Sequence, residues 1–349
     1  MTKARDLADY TGLQADLAGL QTNITAGDTA ARAGRKNLFI NGGCQVGQRG
    51  NVALSNSVVK YGACDRWGMY PNVSSTHSAT SSQATVTWSE SGNAIGWTAV
   101  TTVQAGQMLT RQFIESSNVR HLTGKKLTCS FKVFHDVGAD VSVNVLTLKP
   151  NSKDNFASTT DLTSNTTIAT AASGVVTEVS YTWPNALTAA DCVNGFCVTI
   201  QLATSNSVTN KNFYVADLQL EEGSVATDFE HRSYVEELAL CERYYEKTYS
   251  QGTAPAALTE AGTWMFLANR NPGTPHVAVR YKTEKRAVPT FVAYAAASGN
   301  SGKVKNLDSG VESSVTANRA GTTGCTVYIG TSTTLGQFMQ FHYTADAEL

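Results

Sequence analysis

Carboxylates, histidines and thiols are the side chains from which a reactive site could be built. In this sequence none of them falls into a pattern that a known chemistry requires. The six histidines (77, 121, 135, 231, 276 and 342) are scattered, with no two at metal-ligand spacing. Cys192 and Cys197 stand five apart, but no second pair completes a zinc site. Nucleophile-elbow, zinc-protease, phosphate-loop and dinucleotide motifs are all missing. Hydrolysis of a polysaccharide needs two carboxylates roughly 5–10 Å apart, and Asp65, Glu90, Glu115 and Asp136 are candidates that nothing in the sequence links. The reading is therefore no catalytic residue, no metal and no cofactor. A surface-polysaccharide depolymerase stays open as the alternative.

Recognition of a sugar leaves a different trace, in which aromatic rings meet apolar sugar faces and amides or carboxylates bond the hydroxyls. The segment after residue 233 carries Trp264, Tyr281, Tyr294, Tyr328 and His342, together with Phe338, more rings than a small core needs. Those first five are the expected receptor-binding residues. Asp65-Arg66-Trp67 reads as an ion pair capped by an aromatic face, fixing a loop.

The elements that must position these residues are mostly strands. Leu127, Cys129, Phe131 and Val133 alternate with Thr128, Ser130 and Lys132. Val141–Val145, Val175–Trp183 and Phe196–Leu202 alternate in the same way, which is the period of half-buried strands. Some eight such runs over residues 37–232, without helical patterns between them, predict a jelly-roll β-sandwich. Charged residues are only 16% of the chain, so small polar residues cover the outer faces. Net charge is −1 and no basic stripe is present, which argues against a nucleic-acid partner. No apolar run reaches the ~18 residues of a spanning helix, and Lys3, Arg5 and Asp6 open a segment unlike a signal peptide, so membrane insertion is not expected. Seven cysteines at irregular spacing suit free thiols in a reducing cytosol.

Two helices complete the expectation. Tyr10, Leu13, Leu17, Leu20 and Ile24 recur at a/d spacing, a short coiled-coil seam within a helical segment and linker over residues 1–36. Ser233 and Glu236 form a capping box opening a helix that carries Tyr234, Leu238 and Tyr245 to about Tyr249. Period-two runs return after it, giving a helix plus smaller β domain over residues 233–349. Both apolar seams are candidate oligomerisation surfaces. The fold class is thus mainly β, in three parts.

Several local sequences resemble the fibre and tail-tip proteins of tailed bacteriophages. Thr2–Ala8 is similar to their opening. Asn37–Gly43, Gln48-Arg49-Gly50 and Asp65-Arg66-Trp67 are similar to the start of their sandwich domain. Phe213–Gly223 with Ala226–Glu230 is similar to its last strand, and Cys241–Glu246 to the helix next to it. Lys285–Thr290 and Ala345–Leu349 resemble features of the C-terminal domain. The resemblance implies a structural virion protein, assembled in the bacterial cytoplasm, usually a homotrimer. Its N-terminal segment would join other tail or virion proteins, and its distal domain would face a host-surface glycan. A decoration, collar or head-fibre role is the architectural alternative. The sandwich also resembles galactose-binding-type carbohydrate modules, whose acidic residues often hold calcium. Here Gly42-Gly43-Cys44-Gln45 lacks the acids and only Asp217 remains, so no metal is expected.

Replacing Leu13, Leu17 and Leu20 together with Ser is expected to loosen the oligomer, read as a fall in solution mass by light scattering. An unchanged mass refutes the seam.

Overall fold

The computed structural model describes residues 35–73, 76–269, 274–330 and 334–349. The expected seam of Tyr10, Leu13, Leu17, Leu20 and Ile24 lies outside the described residues. Within them the protein is mainly β, and the period-two runs are strands. In Leu127–His135 the residues Leu127, Cys129, Phe131 and Val133 are buried, while Ser130, Lys132 and Phe134 stand on the opposite, half-buried face.

A six-stranded antiparallel sheet runs in the order Val52–Ala53, His77–Thr85, Asn93–Thr102, Val208–Glu222, Leu127–His135, Thr177–Thr182. A seven-stranded sheet faces it, in the order Thr166–Ala171, Val141–Ser152, Phe196–Ala203, Gln107–Ile114, Gly68–Asn72, Lys60–Tyr61, with Asn155–Asp161 paired to Val141–Ser152. Trp97, Phe131 and Phe213 from the first sheet and Met108, Val143, Phe196 and Ile200 from the second close a single core between them. Each such side chain contributes roughly 1.5–3 kcal/mol when fully buried. All seven cysteines are buried free thiols.

A bulge in the central strand of the first sheet places a carboxylate on its outer side. Where Val208–Glu222 pairs with Leu127–His135, the register shifts between Ala216 and Gln219. Asp217 sits there at φ +50, a left-handed conformation that Asp tolerates better than most residues. Its carboxylate accepts the backbone N–H of Glu90 at 2.9 Å and ion-pairs with Lys132 at 3.0 Å.

The rest of the chain forms a second core around the last strand, Phe338–Asp346. This strand carries Trp264–Leu267 and Lys303–Asn306 on its first half, and Tyr245–Lys247 and Thr290–Tyr294 on its second. Glu312–Gly321, Gly324–Ile329 and His276–Arg280 extend the eight-stranded sheet. Val304, Val327, Ile329, Met339 and Phe341 fill its interior.

The helix expected to reach Tyr249 spans only Tyr234–Glu242. Ser233 caps it, its hydroxyl accepting from the Glu236 N–H at 3.4 Å, but only this half of the expected box forms, because the Glu236 carboxylate binds Arg35 instead. It stops early because Tyr245–Lys247 pairs with Thr344–Asp346 as a strand. The helix also buries no apolar stripe. Its buried residues are Glu237, Cys241 and Glu242, and the carboxylate of Glu237 serves the Asn41 N–H and Arg232.

The two cores are joined by a network of charged groups, and Leu349 packs on the cluster of Phe113, Leu148 and Cys197. The carboxylate of Glu348 binds both Arg49, at 3.2 Å, and Arg66. Arg49 lies 3.7 Å over the Tyr245 ring and Arg66 lies 3.4 Å over the Tyr244 ring. Arg243 holds Glu115 through two hydrogen bonds of 3.1 and 2.9 Å. Asp65 and Arg66 therefore do not pair with each other, as the sequence suggested. Asp65 takes Arg49 and Gln48, Arg66 takes Glu348, and the ring over the guanidinium is Tyr244. Trp67 packs instead on Phe39, its indole N–H donating to the Asn41 carbonyl at 2.9 Å.

Replacing Glu348 with Ala leaves Arg66, which is 1% exposed, without its counter-charge. Removing one partner of a buried pair costs about 3 kcal/mol or more, so the melting temperature should fall by roughly 5 °C. An unchanged melting curve contradicts the role given to this carboxylate.

Candidate functional site

The outer face of the six-stranded sheet carries the most distinctive surface. Strand alternation puts Phe131, Val133, Phe213 and Val215 into the core, so Phe134 and Tyr214 point the other way. The two are direct cross-strand partners. Their ring centroids are 6.2 Å apart, and Trp88, on the loop after His77–Thr85, stands another 6.2 Å beyond Phe134. The three half-buried rings make an apolar ridge across the sheet. Gly96, opposite Tyr214, is what gives that ring its room: a Cβ there would lie 3.2 Å from the tyrosine edge and 2.2 Å from the Ser82 hydroxyl.

Polar groups flank the ridge. At one side Asp136 binds the backbone and side-chain N–H of Asn212, both at 2.7 Å. At the other a groove of about 430 Å³ is lined by Glu90, Ser130, Lys132, Glu178, Asp228 and Phe229. Lys132 lies between Asp217 and Glu90, at 3.0 and 3.5 Å. Burial works against its charge, but the two carboxylates more than offset that and raise its pKa. The groove thus offers fixed acceptors, an ammonium, hydroxyls and one more ring.

The carboxylates raised from sequence do not converge on one another. Asp65 is bound by Arg49, Glu115 by Arg243, and Asp136 by Asn212. Glu90 and Asp217 do come together, around Lys132. Asp217, however, already accepts two backbone N–H groups and the ammonium. A carboxylate bound in this way is placed to orient a loop, not to attack or to give a proton. Among the described residues no group of three or more metal-ligating side chains converges.

Of the five aromatic residues singled out after residue 233, Tyr281 and His342 are buried, and Trp264, Tyr294 and Tyr328 are half-buried. His342 is fully buried, stacked on Tyr249 at 3.7 Å and bonded to Thr248 and the Thr259 carbonyl. Burial pushes its pKa down, with the Thr259 bond pulling weakly the other way. Tyr281 is buried, and Trp264 packs on Tyr343. Tyr328 is half-buried and stacks on His276. Tyr294 lines an open cleft of about 660 Å³ between the two cores, beside Arg49, Lys60, Tyr61, Tyr245 and Asp346. Of the helix residues, Tyr234 is 41% exposed and Leu238 half-buried, whereas Tyr245 lies under Arg49 and presents nothing outward.

Trp88, Phe134 and Tyr214 were missed, although a signal was present. Taking Phe131 and Val133 as inward already fixes Phe134 in phase with Ser130 and Lys132. The neighbouring strand reads the same way from Phe213.

No family model matches the sequence, and no curated protein matches it significantly. Solved structures give distant similarities. A carbohydrate-binding module of the β-sandwich superfamily is 11% identical, with a TM-score of 0.33 over 48% of this chain and 62% of that one. A xylan-binding domain from Paenibacillus barcinonensis is 8% identical, at TM-score 0.31 over 53% and 93%. The enzymatically active domain of Bacteriophage CBA120 tailspike protein 4 is 8% identical, at TM-score 0.30 over 45% and 19%.

Proposed function

We propose that this chain is a glycan-binding attachment protein of a phage virion, and that it works without chemistry. The observation that carries the binding half is the Trp88–Phe134–Tyr214 ridge beside the Lys132 groove. These half-buried rings lie outside the core of the sandwich, which is on the other side of the sheet. Rings of this kind gain by covering the apolar C–H faces of sugars, and the flanking amide, carboxylate and ammonium groups fix orientation through hydroxyls. The rigid sheet beneath holds the rings in place before a ligand arrives, which limits the entropy lost on binding.

The virion half rests on the sequence resemblance from Thr2 to Leu349, which runs in the order of phage fibre proteins. A single such face binds weakly. Three copies in a homotrimer, with several fibres on one particle, raise avidity through effective concentration. Attachment to other virion proteins falls to the N-terminal segment in this reading.

Replacing Trp88 and Phe134 together with Ala is expected to weaken retention on host-surface polysaccharide about tenfold or more, since stacked rings contribute on the order of 1 kcal/mol each. The fold should be kept, because neither ring lies in the core. Equal retention by the variant and the natural protein overturns this face as the site. The non-catalytic reading has its own check: incubation with host polysaccharide should release no reducing ends, and release abolished by Glu90→Gln would make the groove an active site.

A further inference from the structure

Where the helix Tyr234–Glu242 meets the sandwich there is a pocket of about 400 Å³. It shares no lining residue with the groove beside the ridge or with the cleft beside Tyr294. Its charged lining is one-sided: Arg35, Arg66 and Arg232 are present with the His121 ring, and no aspartate or glutamate is. The chain has 28 acidic residues against 27 Lys and Arg, so composition does not account for this segregation.

Two of the guanidiniums belong to the floor, Arg66 at 1% and Arg232 at 9% exposed. Their terminal nitrogens are taken. Arg66 binds Glu348 and donates to the Phe113 carbonyl at 2.6 Å, and Arg232 donates to the Phe39 carbonyl at 2.9 Å and to Asn37 and Glu237. They act on the pocket through their field, not by contact. The carboxylates that balance them, Glu348, Glu237 and Glu230, lie outside the lining, and Glu348 lines the cleft beside Tyr294 instead. Each pair thus turns its positive end to the pocket, and buried charges are weakly screened.

The mouth supplies free donors. Arg35 is exposed and commits one nitrogen, Nη2, to Glu236. Ser117, Asn118 and His121, on two short 3₁₀ turns, are exposed as well. Their side chains have no hydrogen-bond partner among the described residues. Half-buried Ile40 and Leu240 add apolar wall.

We infer that this pocket receives the anionic substituent of an acidic sugar, a carboxylate or a phosphate, held by the Arg35 guanidinium with the Asn118 amide and the Ser117 hydroxyl. The C–H face of the same sugar covers Ile40 and Leu240. The inference rests on the glycan-binding reading in one respect, that a sugar carries the anion. It adds a selectivity that the rings of the ridge lack, because they gain from any C–H face. A neutral sugar leaves the donors of Arg35 and the positive floor unanswered, and charge-assisted bonds are the stronger ones.

The test uses the full chain carrying isotope-labelled histidine, whose 6 imidazoles give separate resonances at one fixed pH. His121→Gln identifies the His121 signal by its loss. Glucuronate and glucose 6-phosphate are expected to shift that signal, and glucose to leave it in place. A shift from one of the two alone assigns the substituent to that chemistry. Arg35→Gln, at an exposed position, should keep the fold and raise the dissociation constant of the charged sugar about tenfold. A His121 signal unmoved by both charged sugars, or moved equally by glucose, overturns the inference, and so does undiminished binding by Arg35→Gln. A shift from inorganic phosphate with none from either charged sugar overturns the sugar-borne anion. If the variant with Trp88 and Phe134 replaced by Ala loses retention on host polysaccharide while His121 stays silent, this pocket fails and the ridge stands. If that variant is retained as the natural protein is and charged sugars still shift His121, the ridge fails and this pocket stands.

Discussion

Glu348 is the residue on which the arrangement of the chain turns. One carboxylate near the end of the sequence binds two arginines, Arg49 and Arg66, that belong to the first loops of the sandwich. Each guanidinium is covered by a tyrosine from the segment just after the helix. Charges taken out of water are stabilising only when every one is matched, and here they are matched across the two cores. Asp65, Gln48 and the Tyr245 carbonyl extend the same network. Lys247, also buried, donates to the carbonyls of Gln48, Gln251 and Thr253. The sandwich and the C-terminal sheet are therefore set against each other by directional contacts, which specify one geometry more sharply than an apolar interface of the same size.

That constraint separates structure from recognition. The charged and aromatic side chains between the cores are consumed by holding them together, and His342, Tyr281 and Tyr245 are buried there or within the second core. The rings on the outer face of the sandwich lie apart from that network. Phe134 and Tyr214 sit on a sheet whose opposite face is the main core, so their positions are fixed by the strands, while Trp88 is placed by a loop whose Glu90 and Ser91 N–H groups donate to Asp217. The same economy explains why the carboxylates do not form a reactive pair. Those that are buried have been committed to arginine, lysine or backbone N–H partners.

The strands were legible because alternation is local: Leu127–His135 declares its inward residues within a few positions, whereas Phe196–Leu202, read as half-buried, is buried on both faces, its Cys197 packing with Phe113 and Leu148. The strand part of the ridge was legible on the same terms, for the phase that buries Phe131 turns Phe134 to the outer face. The end of the helix was not. Residues 234–249 carry a helical spacing of apolar side chains, yet the pairing of Tyr245–Lys247 with Thr344–Asp346 decides the outcome, and that partner lies nearly a hundred residues away. The partners of Asp65 and Arg66 were hidden for the same reason. Adjacent opposite charges suggest each other, but Glu348 is 282 positions from Arg66 and nothing near either residue announces it.

The most direct test of the glycan-binding face is a crystal structure of the full chain soaked with oligosaccharide from host-surface polysaccharide. The expected result is sugar density lying against Trp88, Phe134 and Tyr214, with hydroxyls bonded to the Lys132 groove. Sugar ordered only elsewhere, such as in the cleft beside Tyr294, would contradict it.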